Sequence, residues 1–212
     1  MRYQTFINRL CLTQTLSFLG NTTLSFGIGI WIYEKTQQTL NISLGIVALY
    51  LPALFCSKLV DKFERIFPPE QVLLVTNSGN TFLWLITGLL IQNLQYKLAL
   101  LYLTLFISGI FRAFQIPAMP LTIRRHSAND QLQHNVALFS FGTACINVIS
   151  PGLSVLLLKI NGIMTLFLFN VLSYPLTILV LACFLKANYK FNPNKPGNFQ
   201  WQSGDDGFFN GR

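Results

Sequence analysis

The stretch Cys56–Pro69, CSKLVDKFERIFPP, decides how the rest of the chain is read. It holds five charged side chains in fourteen residues, Lys58, Asp61, Lys62, Glu64 and Arg65, with an apolar run on either side. Each run is close to the roughly 20 residues a helix needs to cross the hydrocarbon of a bilayer. A short charged segment between two such runs reads as a hairpin at a membrane surface.

Outward from it the same alternation continues. The expected spans are residues 10–33, 42–57, 71–91, 98–117, 135–158 and 163–185, an all-α polytopic membrane protein with six transmembrane helices. They make up a transmembrane domain over residues 1–186. Residues 187–212 form a polar tail rich in Asn, Gly and Lys, expected to be disordered. With 52% hydrophobic and 10% charged residues, the 212-residue chain departs from any soluble domain. Its net charge of +8 does not point to nucleic acid, because the basic residues lie between the spans and no nucleic-acid-reading motif occurs.

Those basic residues set the orientation. Arg2, Arg9, Lys58, Lys62, Arg65, Arg124, Arg125, Lys186, Lys190, Lys195 and Arg212 fall on one side, and Lys35, Lys97 and Lys159 on the other. The richer side is cytoplasmic, so both termini are expected inside, with Arg112 left within the membrane.

Polar residues inside spans are costly and mark either interhelical hydrogen bonds or a pathway. Asn8, Gln14 and Asn21 fall a turn or two apart on the first span, and Asn77–Thr81 is a polar run that wraps the third. Asn21, Asn77, Asn80, Arg112, Gln115 and Asn147 are the candidate pathway residues. Arg112 reads either as a buried cation that binds substrate or relays charge, or as an arginine that snorkels to the interface. Pro52, Pro151 and Pro175 kink their spans. Every acidic residue lies in a loop, at a span edge or in the tail, which weakens a proton relay within these six spans. Cys11, Cys56, Cys145 and Cys183 lack paired metal spacing and read as packing residues. His126 and His134 read as surface residues. No phosphate-binding loop, catalytic triad spacing or metal cluster is legible, so no catalytic residue, metal or cofactor is expected, and the chain does not read as an enzyme.

Several stretches resemble the major facilitator superfamily. Ser57–Ile66 is similar to its cytoplasmic loop between helices 2 and 3, Gly-x-Leu-Ala-Asp-Arg/Lys-x-Gly-Arg-Arg/Lys. Leu59, Asp61, Lys62 and Arg65 match, Ser57 and Glu64 replace glycines, and Ile66 replaces a basic residue. Leu19-Gly20-Asn21 and Trp31-Ile32-Tyr33-Glu34 resemble elements of helix 1, and Arg112-x-x-Gln115 resembles an arginine motif of helix 4 in drug antiporters, with Ile116 where the family has glycine. Pro117-Ala118 resembles the end of helix 4, and Ser150-Pro151-Gly152 the kink element of helix 5. The resemblance covers roughly residues 2–186. It looks like the N-terminal six-helix half of an exporter, in the manner of bacterial macrolide and siderophore efflux permeases.

It implies a secondary-active efflux permease, or a truncated half of one, in a bacterial inner (plasma) membrane. It also implies Lys58, Asp61, Lys62 and Arg65 as a gating loop and a kink at Ser150, Pro151 and Gly152. The partners are membrane lipids, an unknown small molecule, and a second six-helix half or another copy of the chain. A membrane protein that transports nothing, a remnant or an accessory subunit, is the alternative.

Overall fold

The computed structural model describes residues 2–91, 97–127 and 131–189. They form α1 (Arg2–Thr36), α2 (Thr39–Ile66), α3 (Pro69–Leu90), α4 (Lys97–His126), α5 (Leu132–Asn161), α6 (Ile163–Ser173) and α7 (Pro175–Tyr189). The expectations for residues 187–212 fall almost wholly outside the described residues.

Among the described residues five stretches are long and apolar enough to cross a membrane: Thr39–Cys56, Pro69–Leu90, Leu98–His126, Leu132–Asn161 and Ile163–Lys186. The last joins α6 and α7. Pro175 has no N–H for the carbonyl of Val171, so the helix breaks at Ser173–Tyr174 and resumes with Ile178 N–H donating to the Tyr174 carbonyl at 3.1 Å. The helix α1, 35 residues and so about 52 Å long, has the length to cross as well. Its apolar character is diluted by Gln14, Ser17, Asn21, Thr22 and Thr23, which turn into the bundle and are buried there. The chain is thus an all-α polytopic membrane protein with five to six spans, consistent with a six-helix half-bundle.

The opening stretch differs from its reading as a hairpin. Cys56–Ile66 is the last three turns of α2, and the turn proper is only Phe67–Pro68. Nothing in CSKLVDKFERI breaks a helix until the residue before proline, which is pushed out of the α region: Phe67 sits at φ −108°, ψ 142°. Pro69 then takes the first helical position of α3, where its missing N–H costs nothing. Lys58, Asp61, Lys62 and Arg65 therefore ride a helix end. The side chains of Lys58, Asp61 and Arg65 lie outside the described residues, and Lys62 is exposed.

α2 packs on α4, α1 on α5, and α3 lies between α4 and the α6–α7 pair. α4 crosses closely over the backbone of α2 at Gly109, where a Cβ would stand 2.3 Å from the Leu49 carbonyl oxygen. Gly162 closes the turn from α5 to α6 at φ 64°, a backbone region that suits glycine.

Candidate functional site: a polar layer at mid-depth

Two apolar clusters fill the two ends of the bundle. One is built from Leu24, Ile28, Ile32, Leu49, Trp84, Leu101, Leu105 and Phe167, the other from Phe6, Ile7, Leu10, Leu73, Ala118, Ile123 and Leu181. Between the clusters α1, α3, α4 and the α6–α7 pair each turn polar side chains into the bundle. α1 places Gln14, Ser17, Asn21, Thr22 and Thr23 there, α3 places Thr76, Asn77 and Asn80, and the α6–α7 break places Asn170, Ser173 and Thr177, all buried. α4 adds Ser108, buried, with Arg112 and Gln115 half-buried. A bundle in lipid gains nothing from burying such groups unless they bond to one another or to something held between them.

Part of the layer is closed by hydrogen bonds. The Asn77 Nδ2 donates to Gln14 Oε1 at 3.2 Å and to the Leu73 carbonyl at 2.8 Å, while its Oδ1 accepts from Gln115 Nε2 at 3.0 Å. One amide so ties α1, α3 and α4 together. Ser108 Oγ donates to Asn80 Oδ1 at 2.9 Å, and Thr87 and Thr104 share a 3.1 Å bond further along the same antiparallel pair. Ser17 Oγ donates to the Ser173 carbonyl at 3.0 Å and shares a 2.8 Å bond with Thr177 Oγ1, which fastens α1 to the α6–α7 break.

Another part stays open. Asn21 Oδ1, Asn80 Nδ2, Arg112 Nε, Ser150 Oγ and both polar atoms of Asn170 are buried without a hydrogen-bond partner among the described residues. Arg112 lies over two aromatic rings, Phe18 of α1 at 5.5 Å and Tyr50 of α2 at 5.4 Å from the ring centroids. Tyr50 is exposed on its outer side, so Arg112 stands at the edge of the layer, where α1, α2 and α4 meet.

The candidate pathway residues thus divide. Asn21, Asn77, Asn80, Arg112 and Gln115 come together in the layer. Asn147 faces outward on α5, and of the first-span amides Asn8 is exposed while Gln14 and Asn21 point inward. At the helix-5 element, Ser150 is buried, Pro151 sits inside an unbroken α5, and Gly152 is exposed with no atom within 4 Å of a would-be Cβ.

The reading of His126 as a surface residue is corrected. Its Nε2 lies 2.5 Å from Glu70 Oε1, and its side chain is only 12% exposed. Arg125 Nη1 approaches Glu70 Oε2 at 3.5 Å, and Glu70 itself is buried. The His126 ring also packs edge-on against Phe6 and Phe184. Glu70 opens α3 and Arg125–His126 closes α4, so two consecutive antiparallel helices bring them together, each charge suited to its helix end. The signal was legible as an acid in the first turn of one span and a basic pair in the last turn of the next. The reading in terms of exposed loops hid it.

This is the architecture of a membrane permease: apolar ends, a polar middle layer, and a lipid-facing outside rich in exposed Leu, Ile, Val and Phe. The chain belongs to the Major Facilitator Superfamily, whose family model matches residues 10–206. It is a family of transporters and not of enzymes. Comparisons with curated proteins and with solved structures give no match.

Proposed function

We propose that the chain is a six-helix unit of a secondary-active exporter that moves a small molecule through the polar layer, working against a second six-helix unit. The observation that supports this is the layer itself, a belt of buried polar side chains at mid-depth between two apolar clusters. Transporters of this kind bind substrate near the midplane, between repeats. Residues Asn21, Asn77, Asn80, Arg112 and Gln115 are the proposed pathway contacts. Asn147, on the outward face of α5, belongs to the proposed contact with the second unit.

The helices α2 and α5 offer that contact. Only 17% of residues in the spans Thr39–Cys56 and Leu132–Asn161 are buried, against 39% in Pro69–Leu90 and Ile163–Lys186, so α2 and α5 stand at the periphery with broad faces uncovered. Lys58, Asp61, Lys62 and Arg65 at the end of α2 act as the gate, and Ser150, Pro151 and Gly152 as the bend of α5, in a bacterial inner membrane. Macrolide- or siderophore-like compounds are the first substrates to try.

Native mass spectrometry in detergent, with liposome flux on the same sample, tests the reading. The expected result is a two-unit assembly that moves substrate. A stable monomer with flux overturns the pairing, and a stable monomer without flux favours the accessory reading.

Both ends of the described bundle are proposed to lie on the cytoplasmic side. Cysteines introduced at Lys62 and Lys97, in a background lacking the four native cysteines, should label from inside and from outside respectively. Equal labelling of both from outside would sink this topology.

A further inference from the structure

Among the described residues the charge of Arg112 has no ion-pair partner. A guanidinium cannot shed its charge on burial as a lysine can, and an uncompensated arginine at the centre of a membrane helix is costly. Among the described residues no carboxylate meets it. The one buried carboxylate among the described residues, Glu70, is engaged by His126 and Arg125 at the end of α4, thirteen to fourteen residues from Arg112. That is about 20 Å along the helix axis, too far for contact. The same length of helix keeps Arg112 from reaching the charged end of α4 by snorkelling. The Phe18 and Tyr50 rings compensate the charge only in part.

The rest of the surroundings is neutral and partly unsatisfied. Gln115 and Ser108 flank Arg112 one turn away on α4, both taken up by hydrogen bonds to α3. Asn21 stands one turn beyond Phe18 on α1 with its Oδ1 unpartnered, and Arg112 Nε is buried and unpartnered as well. A cation held between two rings, with an unused donor and no acid near it among the described residues, suits an incoming anion that has an apolar or aromatic body.

We infer that the mid-bundle site takes an anionic ligand, an aromatic or apolar molecule whose single carboxylate pairs with Arg112 between Phe18 and Tyr50. This rests on reading the polar layer as a transport site and adds to it the class of substrate. The carboxylate supplies a counter-charge that the described residues do not provide. Loading the site also stabilises the α1–α2–α4 junction, because the ligand neutralises a charge that otherwise strains it.

The test uses the full chain in detergent with three matched probes: benzoate, benzamide and benzylammonium. Benzoate is expected to raise the thermal unfolding midpoint in a concentration-dependent way, and the other two to leave it in place. In Arg112→Gln the benzoate shift should vanish, and in Arg112→Lys, which keeps the charge but not the planar fork, it should survive with affinity several-fold weaker. Size-exclusion chromatography and circular dichroism establish that each variant is folded, and Arg112→Lys alone carries the comparison if Arg112→Gln is not. An equal shift with benzamide or benzylammonium overturns the inference. So does a benzoate shift untouched in both variants, or no shift with any probe. Liposome flux separates this from the transport reading. Benzoate binding without flux leaves the anion site standing and sinks transport, whereas flux of benzylammonium but not benzoate does the reverse.

Discussion

Gly109→Ala is expected to destabilise the bundle, and Gly109→Leu to do so severely. An alanine Cβ at this point would stand 2.3 Å from the Leu49 carbonyl oxygen, 3.0 Å from its carbon and 3.1 Å from Pro52 Cγ. Two of these atoms are backbone and the third belongs to a proline ring, so no rotamer change relieves the contact. The helices α2 and α4 must move apart, and overpacking of this kind costs about 1–3 kcal/mol. Alanine would return about 0.5–1 kcal/mol in helix propensity, too little to offset the clash. The same displacement draws Tyr50 of α2 away from Arg112 of α4. Gly152→Ala is the matched control: it gains the same propensity and meets no atom within 4 Å. Thermal unfolding in detergent should show a clear drop for Gly109→Ala and none for Gly152→Ala. Equal behaviour of the two would remove the case for a backbone-to-backbone crossing.

Loss of the Glu70 carboxylate is expected to loosen the end of the bundle that holds Phe6, Leu10, Cys11, Ile123 and Phe184. Glu70→Gln keeps the size of the side chain and removes the charge that holds His126 at 2.5 Å and Arg125 at 3.5 Å. Arg125 is half-exposed and can turn to solvent, so the cost falls mainly on the His126 contact, about 1–3 kcal/mol. Cys11 reports the change directly, since it is buried in that same cluster. With Cys56, Cys145 and Cys183 replaced, Glu70→Gln should raise the rate at which a thiol reagent reaches Cys11 by about tenfold for each 1.4 kcal/mol lost. His134→Gln, at an exposed position one turn into α5, should leave that rate unchanged. An unchanged rate in Glu70→Gln would mean that the carboxylate holds nothing together.

The class of fold was written in the chain. Hydropathy acts residue by residue, so the alternation of apolar runs and charged segments specifies helices that cross a membrane, and the proline at 175 marks where one of them breaks. The run Asn77–Thr81 and the lone Arg112 likewise announced polar groups inside spans, the first in the first third of its span and the second towards the far end of its own; that both share one layer came from the fold. Lys58–Arg65 announced its charge but not its conformation. A charged segment can end a helix or extend it, and α2 continues through it until Phe67 meets Pro68.

What only the tertiary structure decided is which groups meet. That Asn77 binds Gln14 and Gln115, that Glu70 is met by His126, and that Gly109 lies on the Leu49 carbonyl all depend on pairings between helices far apart along the chain or on the register between neighbours. Composition and periodicity say which face of a helix is polar. They do not say which neighbour it faces, because hydrogen bonds and close packing act over a few ångströms across the bundle. The setting of Arg112 is of the same kind. Its presence in a span was legible, but that it lies over Phe18 and Tyr50, away from the described carboxylate Glu70, required the fold.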